Sequence, residues 1–334
     1  MKQYVVVLFL LALGAEFHRA LPAEKPELLR LEASLDSMGG TYSVVLYGEN
    51  RTRLEGAAEG AFDEVRRLDR MLSNYRPESE WTRVNRAASG KPVRLSEELF
   101  QLLSVCLEYS RRSEGAFDIS VGPLMKVWGF YKGSGHLPHR AEVRGALVNV
   151  GYRNIVLDPT ERTVRFAKAG VEIDPGGIGK GYAVDRMVEI LRKDQIGAAL
   201  ISASGSSIYA LGAPPEEAGW KIRIRHPKDE KKTVAEVVLK DESMSTSGSY
   251  EKFFRAEGRI YSHIMDPRTG FPAAGMLSAS VIAPATLDSE AWTKPFFING
   301  AGWAAKHRPK GFRVYLCKDT SGGIETGQSC AWLQ

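Results

Sequence analysis

Cysteine is scarce in this chain, with three in 334 residues. A small disulfide-stapled fold is therefore excluded. A zinc site is excluded too, because no second cysteine pair exists at metal-ligand spacing. Cys106 falls within an apolar helical pattern and reads as core. Cys317 and Cys330 bracket a polar Gly/Ser/Thr stretch, residues 318–329, that reads as a hairpin loop, and an oxidising compartment would allow the two to pair. Long basic runs and interleaved aromatics are also missing. The net charge of +5 is spread along the chain, so nucleic acid is not an expected partner. There is no internal repeat, and no Pro/Gly-rich stretch divides the body of the chain. The one long apolar run, residues 4–15, is shorter than the roughly 20 residues that a bilayer-spanning helix needs.

What is present is ordinary globular composition, 43% hydrophobic and 25% charged, in a chain long enough to bury a large core. Lys2 followed by the apolar run fits an export leader. Residues 1–20 are read as that leader, with cleavage after Gly14 or within residues 20–23, and residues 21–334 as a single domain. The expected location is outside the cytoplasm, either periplasmic or peripherally associated with the cytoplasmic membrane. Residues 22–26 read as a linker.

Alternation and β-branched content predict strands at 41–47, 198–211, 220–225, 234–239, 258–263 and 277–282. A closing hairpin is predicted from 312–317 and 330–333. Helical spacing predicts helices over 55–72 and 182–191, another opening at Ser96 with Glu97 and Glu98 in its first turn, and an apolar helix over 292–298. Strands with irregularly interspersed helices indicate an α+β fold with antiparallel or mixed sheets, and not a doubly wound one.

Four segments concentrate Gly, Pro, Asp and Thr beside aromatics. Ser73-Asn74-Tyr75-Arg76-Pro77 follows a helix. Gly115-Ala116-Phe117-Asp118 leads to Trp128-Gly129-Phe130. Asp174-Pro175-Gly176-Gly177-Ile178-Gly179-Lys180-Gly181 precedes a helix, where close backbone approach and a helix N-terminus suit a phosphate group. It is neither a P-loop nor a dinucleotide-binding fingerprint. His263-Ile264-Met265-Asp266-Pro267-Arg268-Thr269-Gly270 supplies an imidazole suited to general-base work. Further on, Asp288 and Glu290 precede an apolar helix and offer oxygen ligands of the kind Mg²⁺ takes.

In this order the segments resemble the ApbE family of FAD:protein FMN transferases over residues 38–300. The resemblance implies a two-lobed α+β domain, T-fold-like, with FAD in a groove between the lobes. It implies transfer of FMN from FAD onto a Thr or Ser hydroxyl of an acceptor flavoprotein, with AMP released. It implies FAD contacts at Tyr75, Ala116, Phe117, Asp118, Asp174, Lys180, Thr246 and Ile264, and a catalytic base at His263. It also implies Mg²⁺ held by the Gly177 carbonyl and by the positions of Glu290 and Lys294.

Two departures stand out. Glu290 replaces an Asp, and Lys294 replaces a Thr, whose ammonium has no lone pair for a metal. A shifted register would instead offer Asp288 or Ser289 with Thr293. Residues 202–207 depart from the family's Asn-x-Gly-Gly pattern. An exported enzyme implies an exported or membrane-bound acceptor. With water as acceptor the same site would be an FAD pyrophosphatase, and without chemistry it would be an FAD-binding protein.

Overall fold

The computed structural model describes residues 28–133, 135–320 and 327–334. The expected leader, the 22–26 linker and residues 321–326 of the closing loop lie outside them. The chain opens with a hairpin of β1 (Leu29–Ser37) and β2 (Gly40–Gly48). β2 alternates as a half-buried strand does, burying Tyr42, Val44 and Leu46. α1 (Arg51–Leu72) starts at Asn50, whose side chain accepts the Arg53 N–H. Its face of Leu54, Ala58, Ala61, Val65 and Leu68 packs on the sheet. α2 (Glu80–Ala87) and the short β3 (Val93–Arg94) follow. α3 (Glu97–Arg112) begins at Ser96 as expected, with acids in its first turn and Arg111 and Arg112 in its last, both favourable to the helix dipole. α4 (Gly122–Val127), α5 (Arg140–Leu147), β4 (Ile155–Asp158) and β5 (Thr163–Phe166) complete this middle section.

α6 (Gly179–Lys193) leads back to the main sheet through β6 (Ala198–Ala203) and β7 (Ser207–Leu211). A single strand was expected over 198–211. The structure turns the chain back at Ser204 and Gly205, with φ of 54° and 67°, and Ser206 N–H bonds the Ala203 carbonyl at 3.1 Å. Two successive positive φ values make the tight turn whose twist matches a hairpin. The hairpin β8 (Trp220–His226) and β9 (Asp229–Leu239) covers one sheet face. β10 (Glu242–Gly248), the small hairpin β11 (Phe253–Ala256) and β12 (Arg259–Ser262), β13 (Met276–Ala283), α7 (Thr286–His307), β14 (Arg313–Asp319) and β15 (Gln328–Trp332) finish the chain.

The main sheet has eight strands in the order β1-β2-β6-β7-β10-β13-β14-β15. Every pairing within it is antiparallel, as the α+β reading expects. α1 and α6 cover β2, β6 and β7. α7 and α3 share the largest core with β13, β14 and the β3-β5-β4 sheet. Trp292, Phe296 and Phe297 of α7 are buried there, each contributing roughly 1.5–3 kcal/mol of burial. α7 lacks a side-chain cap of its own. Instead the Asp185 carboxylate of α6 accepts the Thr286 and Leu287 N–H groups at 2.6 and 2.8 Å, which fastens the two helix starts together. The helix breaks at Gly300, φ 75°. Cys317 and Cys330 are bonded across the directly paired β14 and β15, and Cys106 is buried. Among the described residues no helix is long and apolar enough to cross a membrane.

Candidate active site

The glycine turn at 174–181 is held from below. Asn85 brackets the Ile173 backbone, donating to its carbonyl at 2.9 Å and accepting its N–H at 2.8 Å, and Trp81 Nε1–H reaches the same carbonyl at 3.0 Å. Asp174 N–H bonds the Ile119 carbonyl at 2.7 Å. The Asp174 carboxylate then accepts Gly176 N–H on one oxygen at 2.8 Å, and Asn74 Nδ2 at 2.9 Å and Tyr131 O–H at 2.6 Å on the other. Burial raises its pKa, and these three bonds oppose the rise. Tyr75 stands over this network at 74% exposure, edge-on to Tyr131 with ring centroids 6.2 Å apart. Such an exposed ring beside a glycine turn offers a planar ligand a stacking surface.

The side chains of the second segment face inward. Ala116 and Phe117 are buried, with the Phe117 ring edge-on to Tyr109. The Asp118 carboxylate is taken up by Ser120 N–H, Ser120 O–H and Tyr152 N–H at 2.8, 2.7 and 2.6 Å. These side chains shape the floor of the turn: a Cβ on Gly177 would stand 3.4 Å from the Phe117 ring.

His263 lies within electrostatic reach of Lys180 and Lys294. Its Nδ1 is 3.1 Å from the Lys252 carbonyl, an acceptor only, so Nδ1 carries the proton and Nε2 keeps its lone pair in the neutral ring. Phe130 packs edge-on to the imidazole at 6.4 Å. Burial pushes the His263 pKa down to about 4, and the charges of Lys252, Lys294 and Lys180 act in the same direction. The ring is thus neutral at pH 7 and able to accept a proton. Ile264 is buried in the core behind it. Lys180 donates to Ser206 Oγ beside the β6–β7 turn. Ser206 O in turn accepts the Thr246 N–H at 2.8 Å, and the Thr246 hydroxyl pairs with Ser280 at 2.8 Å.

The remaining positions lie on α7. Glu290 and Lys294, one helical turn apart, face the glycine turn. The Lys294 ammonium donates to the Gly177 carbonyl at 3.0 Å and to the Glu290 backbone carbonyl at 2.9 Å, and lies 3.8 Å from the Glu290 carboxylate. That carboxylate accepts the Gly181 N–H at the start of α6. A Cβ on Gly181 would stand 2.5 Å from the Thr286 carbonyl and 2.8 Å from Glu290 Oε2, so only glycine allows the two helix starts to meet. The shifted-register candidates point elsewhere. Asp288 accepts the Tyr109 hydroxyl at 2.6 Å. Thr293 bonds Ser247 and the Glu290 carbonyl, both at 2.7 Å, and Ser289 pairs with Ser245 at 2.8 Å.

This donor set does not fit a resident divalent ion. An ammonium, itself a cation without a lone pair, occupies the approach to the Gly177 carbonyl, and Glu290 is tied to a backbone N–H. Among the described residues no cluster of three or more His, Cys, Asp or Glu side chains could hold a metal. Sequence reasoning passed over several residues that build the site. Asn74 and Ser206 lie in flagged segments, but Asn85, Tyr131 and Lys252 have no local signal, because each acts on a segment distant in the chain.

The ApbE family profile matches residues 38–315. An FAD:protein FMN transferase of Klebsiella pneumoniae (strain 342) is 33% identical over 265 residues, covering 78% of this chain and 79% of that relative. One of Treponema pallidum (strain Nichols) is 32% identical over 262 residues, covering 74% and 72%. The crystal structure of the ApbE protein from Thermotoga maritima superposes with a TM-score of 0.80 at 28% identity, covering 87% of this chain and 94% of the other. The apo flavinyl transferase ApbE of Pseudomonas stutzeri gives 0.79 at 25% identity, covering 92% and 95%.

Proposed function

The chain belongs to the ApbE family, and on that premise we propose that it is an FAD:protein FMN transferase. The observation that carries the reading is the meeting of a neutral, hydrogen-bond-oriented His263 with Lys180 and Lys294 around the 174–181 turn. The reaction is an in-line displacement. The acceptor's Thr or Ser oxygen bonds to the FMN phosphorus, the bond from that phosphorus to the bridging oxygen breaks, and AMP leaves with the bridging oxygen. The hydroxyl proton goes to His263 Nε2, because an alcohol is a weak nucleophile unaided. Lys180 and Lys294 oppose the negative charge that spreads over the phosphoryl oxygens. Tyr75 stacks on the flavin, and Asp174 keeps the turn in shape to receive it. Mg²⁺, which the resemblance implies, is assigned no step, since the Gly177, Glu290 and Lys294 set does not suit it.

The apolar run at residues 4–15 and the Cys317–Cys330 bond support an exported enzyme, periplasmic or peripherally associated with the cytoplasmic membrane, acting on an exported or membrane-bound flavoprotein. The test is to incubate the purified protein with FAD and a candidate acceptor domain and to weigh the acceptor by intact mass spectrometry. A gain of one FMN phosphoester is expected. FAD bound and left uncleaved would make the chain a flavin-binding protein. FMN and AMP released with no acceptor gain would make it a pyrophosphatase.

A further inference from the structure

We propose that Lys294 is the resident cation of this site, its ammonium replacing the divalent ion, so that FAD binds and is cleaved without a metal. The inference rests on the transferase reading and adds to it the source of positive charge. Three observations carry it. First, Lys294 Nζ sits 3.0 Å from the Gly177 carbonyl and 2.9 Å from the Glu290 carbonyl. These are N–H···O lengths, whereas Mg²⁺ holds oxygen at about 2.1 Å. A metal here would need the oxygens drawn in and the ammonium expelled from between the two carbonyls. Second, the other potential oxygen ligands already have partners: one Glu290 oxygen takes Gly181 N–H and the other faces the Lys294 ammonium, while Thr293 sits between Ser247 and the Glu290 carbonyl. Third, two of the three ammonium N–H bonds are on carbonyls, which leaves one donor for a phosphate oxygen. Lys180, its cationic neighbour, adds a second charge. A covalently held cation needs no supply from solution, so chelators have nothing to remove.

The test uses the full chain freed of metal with EDTA. Titration of flavin-free protein with Mn²⁺, read by electron paramagnetic resonance, is expected to show no stoichiometric site. The FAD dissociation constant, from flavin fluorescence, is expected to agree within about twofold in EDTA and in excess MgCl₂. The double variant Glu290→Asp/Lys294→Thr restores an all-oxygen set. It is expected to gain a stoichiometric Mn²⁺ site and to bind FAD about tenfold or more tightly with Mg²⁺ than with EDTA. A stoichiometric Mn²⁺ site in the wild type, or a wild-type FAD affinity that drops about tenfold in EDTA, would overturn the proposal. Should the double variant lose its circular dichroism, the two wild-type measurements decide the matter alone. Failure of the wild type to bind FAD under any condition would sink the transferase reading instead, while the Mn²⁺ titration would still judge the ammonium.

Discussion

Asp174 and Glu290 are both buried carboxylates, 8% and 3% exposed, and both touch the same glycine turn, yet their surroundings differ in kind. Asp174 is held by dipoles: an amide, a phenol and a backbone N–H. Glu290 has one backbone N–H and, 3.8 Å away, the Lys294 ammonium, whose pKa burial lowers to about 8, so that most of its charge remains at pH 7. A dipole-held carboxylate orders the chain around it without adding charge that a phosphate would feel. An ion-paired one keeps a cation beside the ligand, at the cost of depending on that cation. On the proposed reading the flank near Tyr75 would shape the flavin side, while the α7 flank would supply charge to the phosphate side. His263 lies between these roles, since it carries no charge at pH 7 and is surrounded by lysines.

The sharpest break in this comparison comes at the imidazole. His263→Ala is expected to slow transfer about 100- to 10,000-fold while FAD affinity, read by fluorescence, changes little. An equal loss in both would make the residue a binding group. The acid limb of kcat/KM is expected near pH 4, where His263 protonates, and not near its ordinary 6.5. Stability should follow the same group. Its folded pKa lies below the unfolded one, so the unfolded chain binds more protons between the two values. The His263 contribution is therefore complete above pH 6.5 and is lost as pH falls towards 4. A His263→Asn variant should lack this component of the pH–Tm curve.

Next comes the ion-paired flank. Lys294→Met leaves Glu290 buried without its cation and should cost about 3–5 kcal/mol of stability by urea unfolding. Pairing it with Glu290→Gln should recover much of that loss, because no buried charge then remains. If the single variant is as stable as the wild type, Glu290 is satisfied by Gly181 alone and the contrast with Asp174 disappears. The smallest effect belongs to the dipole-held flank. Tyr131→Phe removes one of three donors to Asp174 and should cost about 1–3 kcal/mol. It should raise the KM for FAD more than it lowers kcat, because Asp174 orders the turn and does not take part in the displacement.

Much of this molecule is written locally. Ser96 announces a helix start, and the apolar spacing of 55–72 sets most of the buried face of α1, although that helix begins four residues earlier, after Asn50. The glycines of 174–181 mark a turn before a helix. Other elements were not expected. β1 alternates Leu29, Leu31, Ala33 and Leu35 with Arg30, Glu32, Ser34 and Asp36 on the sheet edge, a strand pattern that was legible and stands outside the expected set. Elsewhere the signal is weak or shared. β6 and β7 read as one strand because Ser204 is an unusual residue for a left-handed turn position. Asp118 is held by Ser120 and by Tyr152, the latter 34 residues away, and nothing in Ala-Phe-Asp says whether its carboxylate faces a ligand or the backbone.

By itself the sequence determined which segments carry chemistry, the α+β class, the position of the imidazole and the unusual lysine on the last helix. Those are matters of residue type and short-range spacing, and they survive without coordinates. Only the tertiary structure decided where the lysine points. Its bond to Gly177 spans 117 residues. It exists because Asp185 binds the first turn of α7 to α6 and Gly181 lets the two helix starts touch, which turns the Glu290–Lys294 face onto the glycine turn.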